Sequence, residues 1–186
     1  MLAVDIDIQP LVRAARQEDP DAWDGLLRRY QLPLFTYVSE LVRQEQTSLD
    51  IVQETFINAA RHIASLREDA RFGSWLFGIA HQKCLQHWRR QGREARFLAA
   101  EEPLPDEMPA PADDPSEGLI RQEREEEFLA ALDRLPAAHR SVVLLHCLEE
   151  FPLEDIAAIT GAPLGTVKSR LHYAKRMLRQ LLEERT

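Results

Sequence analysis

The stretch GAPLGTVKSRLHYAKRMLRQ, residues 161–180, carries Lys168, Arg170, Lys175, Arg176 and Arg179 and no carboxylate, in a chain of 186 residues whose formal charge is −8. Cations concentrated on one segment neutralise a polyanion, and phosphates are the polyanion that such clusters meet most often. A second run, FGSWLFGIAHQKCLQHWRRQ, sets Trp75 at the head of a face made by Ile79, Gln82, Lys83, Gln86, Arg89 and Arg90. An aromatic platform with amides and cations suits unstacked bases and the backbone that links them. The alternatives are a solvated basic helix for the first run and ordinary helix packing for Trp75. His81, Cys84 and His87 invite a metal reading, but His81 and His87 stand about 9 Å apart along a helix axis. One tetrahedral ion with bonds near 2 Å does not span that, so no metal or cofactor is expected. The chain has no Gly-rich phosphate loop and no nucleophile–base signature, so it does not read as an enzyme.

Helices must position these groups. In FPLEDIAAITGAPLGTVKSRLHYAKRML, a first helix is predicted over Leu153 to Thr160, with Glu154 and Asp155 at its positive end. Gly161 supplies the left-handed residue that stops it, and Pro163 prevents continuation and sets the approach to a second helix. Ala157 permits close crossing and Val167 fills the angle, the pattern of a helix-turn-helix. At 100° per residue, Val167, Leu171, Ala174 and Leu178 face inward. Ser169, His172, Tyr173 and Arg176 lie opposite, flanked by Lys168, Lys175, Arg179 and Arg170. Such a strip suits a major groove, central side chains reaching base edges while flanking cations hold phosphates.

Earlier in the chain, SLDIVQETFINAARHI predicts an apolar stripe of Leu49, Val52, Phe56, Ala60 and Ile63. Asp50, Gln53, Glu54 and Ile57 form an adjoining face. Its acids suit a helix N-terminus, and the exposed Ile57 hints at a protein partner. Pro33 is expected to break or kink the helical run around YQLPLFTYV. From 97 to 117 prolines and acids dominate, which predicts an extended flexible linker. Six bases against Glu94 give residues 71–96 a net +5, five bases give 161–180 another +5, and eleven acids against Arg121 and Arg124 leave 97–127 at −9. Two basic helical surfaces thus flank an acidic tether. The length allows two small helical domains with separate cores. Two cysteines do not make a disulfide scaffold. The start MLAVDIDIQP lacks a basic n-region and apolar core, and no apolar run approaches a membrane span, so a cytoplasmic protein without membrane insertion is expected.

The motifs PLVRAARQEDPDAWDGLLRRY, DIVQETFINAARHI, FGSWLFGIAHQKCLQHWRR and LDRLPAAHRSVVLLHCLEEFPLEDIAAITGAPLGTVKSRLHYAKRML occur in order. Together they resemble the extracytoplasmic-function sigma factors of bacterial RNA polymerase, across nearly the whole chain except the linker. The resemblance implies an all-α fold of two helical domains: a region 2 bundle over 1–96, the linker over 97–117, and a region 4 helix-turn-helix over 118–186. It implies that Asp50, Gln53, Glu54 and Ile57 bind the clamp of core RNA polymerase. Trp75, Gln82, Lys83, Gln86, Arg89 and Arg90 would melt and hold the minus-10 element. Lys168, Ser169, His172 and Tyr173 would read the minus-35 duplex, with Thr166, Arg170, Lys175 and Arg176 beside them. An anti-sigma factor would be the controlling partner. Gly78-Ile79-Ala80-His81-Gln82 departs from the family's usual Arg-Ile-Ala-Arg-Asn-like run, which leaves the minus-10 preference open. A stand-alone regulator built on the same helix-turn-helix is the other reading, and it gives the Trp75 and Asp50 faces no task.

Overall fold

A computed structural model describes residues 7–92 and 130–183; the linker expected at 97–117 lies outside them. No strand occurs among the described residues. Helix α1, Gln9–Ala15, has Pro10 in its first turn and buries Val12 and Ala15. Arg16, just past its end, ties it to the carbonyl of Leu66 and, at 2.9 Å, to Asp69. Helix α2, Pro20–Val42, begins where Asp19 accepts the backbone N–H groups of Asp21 and Ala22 at 2.9 and 3.4 Å. It ends at Arg43, whose φ of 60° turns the chain out of the helix.

Pro33, expected to break or kink the run, lies inside α2, which continues through it. An internal proline costs about 3 kcal/mol. Leu26 on one side, and Leu34, Tyr37, Val38 and Leu41 on the other, are almost wholly buried. At roughly 1.5–3 kcal/mol per large side chain, that burial outweighs the missing hydrogen bond.

Helix α3, Glu45–His62, buries Ser48, Ile51, Val52, Thr55, Phe56 and Ala59. The predicted stripe is therefore rotated: Leu49 is 47 % exposed and Ala60 lies at the surface. The shift follows from two hydroxyls that an apolar count overlooks. Ser48 Oγ donates to the Gln44 carbonyl at 2.8 Å and Thr55 Oγ1 to that of Ile51 at 2.7 Å. Self-satisfied hydroxyls can face the core, which frees Leu49 to turn outward.

Helix α4, Phe72–Arg90, buries Leu76, Phe77, Ala80, His81, Cys84 and Leu85. Gly73 lets it approach α2, since a Cβ there would meet Tyr30 Oη at 3.1 Å. After residue 129 the chain re-enters as helical residues 130–133, then α5, Ala137–Val143, which passes into a π-helical turn, Leu144–Leu148. Helix α6, Leu153–Thr160, stops at Gly161 with φ 69°, and α7 runs over Leu164–Glu183. Val167 is fully buried where α6 and α7 meet, and Ala157 is half-buried.

The two halves do not keep separate cores. Their buried apolar residues form one continuous cluster. Helix α4 packs along α6, and α2 touches α5. Helix α6 lies on the outer side of α4 at Gly78, where a Cβ would make ordinary van der Waals contact with Ile159 Cα at 3.9 Å.

Candidate nucleic-acid interface

On α7, Val167, Leu171, Ala174 and Leu178 are buried, and Lys168, Lys175, Arg176 and Arg179 project into solvent. Thr166, Ser169, His172 and Tyr173 are half-buried. Ser169 Oγ donates to the Thr166 carbonyl at 3.0 Å. The Tyr173 ring meets His139 of α5 at a centroid distance of 4.8 Å with the ring planes tilted by 54°, and the Arg176 guanidinium lies 5.5 Å from its centroid. These two neighbours restrict the orientation of the half-buried phenol ring. His139 is neutral, its pKa pushed down to about 4 by burial and by the Arg170 charge.

Arg170 departs from its expected place. It is 8 % exposed, turned from the solvent strip towards His81 of α4 and His139, whose imidazoles feel its charge. The reason lies in the wheel, where position 170 follows Val167 by one turn and borders the buried side; packing against the other half of the chain covers it. In this arrangement the basic surface of α7 consists of Lys168, Lys175, Arg176 and Arg179.

On α4, Gln82, Gln86, Arg89 and Arg90 are exposed and Lys83 is half-buried. Trp75 is half-buried and packs on Phe72 at a centroid distance of 5.9 Å. Phe72 in turn meets Tyr30 at 5.6 Å and Trp23 at 6.5 Å. Trp75 is thus the outermost ring of an aromatic cluster, braced from within and open on the side of a groove of about 650 Å³. Ile79, Gln82, Lys83 and Gln86 share that groove with Asp155 and Ile159 of α6. Asp155 faces Arg71 at 3.9 Å, so a carboxylate of one half stands beside a cation of the other.

On α3, Asp50, Gln53 and Glu54 are exposed, and Ile57 is 44 % exposed. With Leu49 they make an exposed acidic surface with apolar edges. Asp50 accepts from Gln46 Nε2 at 3.1 Å. Glu54 pairs with Lys83 at 2.9 Å, which joins this face to the basic face of α4. The hydrogen bond and charge of Lys83 hold the Glu54 carboxyl below the usual range.

His81, Cys84 and His87 have other employment than metal binding. His81 Nδ1 meets Tyr37 Oη at 2.7 Å, and His87 Nε2 meets the side-chain amide of Gln91 at 2.9 Å. Cys84 is buried, its thiol pushed up to about 12 by desolvation. Sequence reasoning missed the residues that join the halves: Tyr37, Ser141 and Arg140. One signal was available for Arg140, a cation set inside the apolar run LPAAHRSVVLL.

Comparison with known proteins identifies the family. A Sigma-70 region 2 family model matches residues 26–94 and a Sigma-70 region 4 model matches 125–178. The RNA polymerase sigma-H factor of Pseudomonas aeruginosa is 29 % identical over 185 residues, covering 94 % of this chain and 93 % of that one. The ECF RNA polymerase sigma-E factor of Escherichia coli (strain K12) is 30 % identical over 172 residues, covering 90 % of each. Among solved structures, CnrH in complex with the cytosolic domain of CnrY superposes with a TM-score of 0.66 at 22 % identity, covering 96 % of this chain and 99 % of that chain. The sigma factor RpoE in complex with the anti-sigma factor NepR from Bartonella quintana gives 0.61 at 27 % identity, over 86 % and 97 %. With both regions matched in order and a relative at 30 % identity aligned over nine-tenths of both chains, this chain belongs to the extracytoplasmic-function sigma factors of the sigma-70 family, which direct RNA polymerase to promoters.

Proposed function

We propose a division of labour within this sigma factor. The α3 face of Asp50, Gln53, Glu54 and Ile57 docks on the polymerase clamp. The outer side of α4 takes the melted minus-10 strand, with Trp75 as stacking platform, Gln82 and Gln86 as base-edge groups, and Lys83, Arg89 and Arg90 along the backbone. Helix α7 enters the minus-35 major groove, where Ser169, His172 and Tyr173 meet bases while Lys168, Lys175 and Arg176 meet phosphates. Thr166 supports the first turn of that helix. These assignments place region 2 over 1–96 and region 4 over 118–186, with 97–117 between them. Control by an anti-sigma protein follows from the likeness to RpoE, which is held by such a partner. The protein works in the cytoplasm with the polymerase and is not itself an enzyme, because bond making belongs to the core.

The observation that carries this reading is the sorting of exposed charge among the described helices. The α3 face displays Asp50 and Glu54, and α7 displays Lys168, Lys175, Arg176 and Arg179. Like would repel like at a DNA backbone, so only α7 and the α4 face suit phosphates. Tagged protein incubated with purified core polymerase tests it. Stoichiometric retention of the core is the expected result, and no retention at micromolar concentration contradicts the docking assignment.

A further inference from the structure

We propose that His139 of α5 is a positioning residue for base reading by α7. Its imidazole holds the Tyr173 ring in place, so that base preference at the minus-35 duplex depends on a side chain that is itself buried. The His139 and Tyr173 rings lie 4.8 Å apart between centroids, with their planes tilted by 54°. At such separations aromatic rings attract beyond simple burial. The two residues belong to α5 and α7, which pack on each other within one half of the chain. Tyr173 stands next to the fully buried Ala174, at the border where α7 leaves that contact. One turn on, Arg176 is exposed and its guanidinium lies 5.5 Å from the Tyr173 centroid. The Tyr173 hydroxyl makes no hydrogen bond among the described residues, so these two contacts restrict its ring.

His139 is 6 % exposed, and its Nδ1 is buried with no hydrogen-bond partner among the described residues. A buried nitrogen without a partner costs stability, which a leucine in its place would not. The fold alone therefore favours an apolar side chain at this position. What the imidazole supplies is an aromatic ring against Tyr173. Held neutral chiefly by burial, it does not repel the Arg176 cation on the same phenol.

Restraint of the phenol matters only where a base is read. In a specific complex the ring must settle against one base edge, and a side chain free to change rotamer loses that freedom on binding. On an unrelated sequence the phosphate contacts assigned to Lys168, Lys175 and Arg176 form without it. Prior restraint by His139 thus raises the ratio of specific to unspecific affinity rather than affinity at large. Its loss is expected to lower that ratio on the order of three- to tenfold.

Holoenzyme assembled from core polymerase and full-length protein tests this on a promoter fragment from a start site that appears only when the protein is present. The fragment is supplied as a pool randomised across the minus-35 element, and the bound sequences are counted. His139→Leu is expected to flatten the base preference within that element, to leave the salt slope unchanged, and to keep or raise Tm. Tyr173→Ala is expected to flatten the same positions, and His139→Leu to add nothing in the Tyr173→Ala background. A further loss in that background, or unaltered preference in His139→Leu alone, overturns the positioning role. So does a fall in Tm with equal weakening on every sequence, the behaviour of a purely structural residue.

The ring contact is read separately, by nuclear magnetic resonance of the free protein with isotopically labelled tyrosine. The ring signals of Tyr173, one of three tyrosines in the chain, are expected to move on His139→Leu substitution. Unmoved signals remove the contact. The consequence for base reading, though not the contact itself, rests on the assignment of α7 to the minus-35 duplex. Preference unchanged in Tyr173→Ala, or absent in the wild type, contradicts that assignment and with it the base-reading role, while the ring signals still decide the contact.

Discussion

Lys83 Nζ lies 2.9 Å from Glu54 Oε2, so the basic face of α4 and the acidic face of α3 are neutralised against each other where they meet. The carboxylate is largely exposed, so the pair itself adds little stability. Its importance is positional, because one residue belongs to the proposed DNA surface and its partner to the proposed polymerase surface.

Lys83→Gln is expected to leave core polymerase binding intact and to weaken promoter opening. In complexes assembled with core polymerase, removing one single-strand phosphate contact lowers the slope of log affinity against log salt by about 0.7. Titration of a fluorescent promoter fragment at several salt concentrations measures it. An unchanged slope removes Lys83 from the minus-10 surface.

Reversal of the α3 acids tests the docking face. Asp50→Lys combined with Glu54→Lys is expected to abolish co-purification with core polymerase while far-ultraviolet circular dichroism stays helical, since both residues are exposed. Retained co-purification refutes the clamp assignment.

Arg176 and Arg170 separate surface from interior on one helix. Arg176→Glu is expected to weaken promoter binding at least tenfold and to lower the duplex salt slope by about 0.9, with Tm unchanged. Arg170→Gln is expected to lower Tm by several degrees, because its guanidinium is buried at the junction of the halves. Melting curves and mobility-shift titrations of both variants distinguish the two behaviours.

Glu149 gives a pH signature. Burial raises its carboxyl to about 7, and its charge is felt by Tyr30 across the junction. Because the folded value lies above the ordinary one, the ionised form disfavours the folded arrangement. Stability is therefore fullest below the ordinary value of 4.5 and declines as pH rises through 7. Glu149→Gln is expected to match the wild type at pH 4.5 and to exceed it at pH 8 by on the order of 2 kcal/mol, or roughly 5 °C in Tm. Equal melting temperatures at pH 8 contradict the burial of this carboxylate.

Much of this was legible in the sequence, for identifiable reasons. Gly161 and the 3.6-residue spacing of Val167, Leu171, Ala174 and Leu178 are local signals, and the helix-turn-helix follows from them. The α3 stripe was misplaced because Ser48 and Thr55 count as polar until their hydroxyls find carbonyls within the same helix. That α2 continues through Pro33 rests on burial that is tertiary. The Tyr37–Ser141 contact spans 104 residues, and Arg170 is covered by the other half of the chain. No periodicity within one helix reports either.

The central claim is that this chain confers promoter specificity on RNA polymerase. Core polymerase transcribing fragmented genomic DNA, with and without the protein and read by mapping RNA 5′ ends, tests it most directly. The account calls for a small set of new start sites that share spaced minus-35 and minus-10 sequences and vanish with Asp50→Lys/Glu54→Lys. Start sites identical with and without the protein would contradict it.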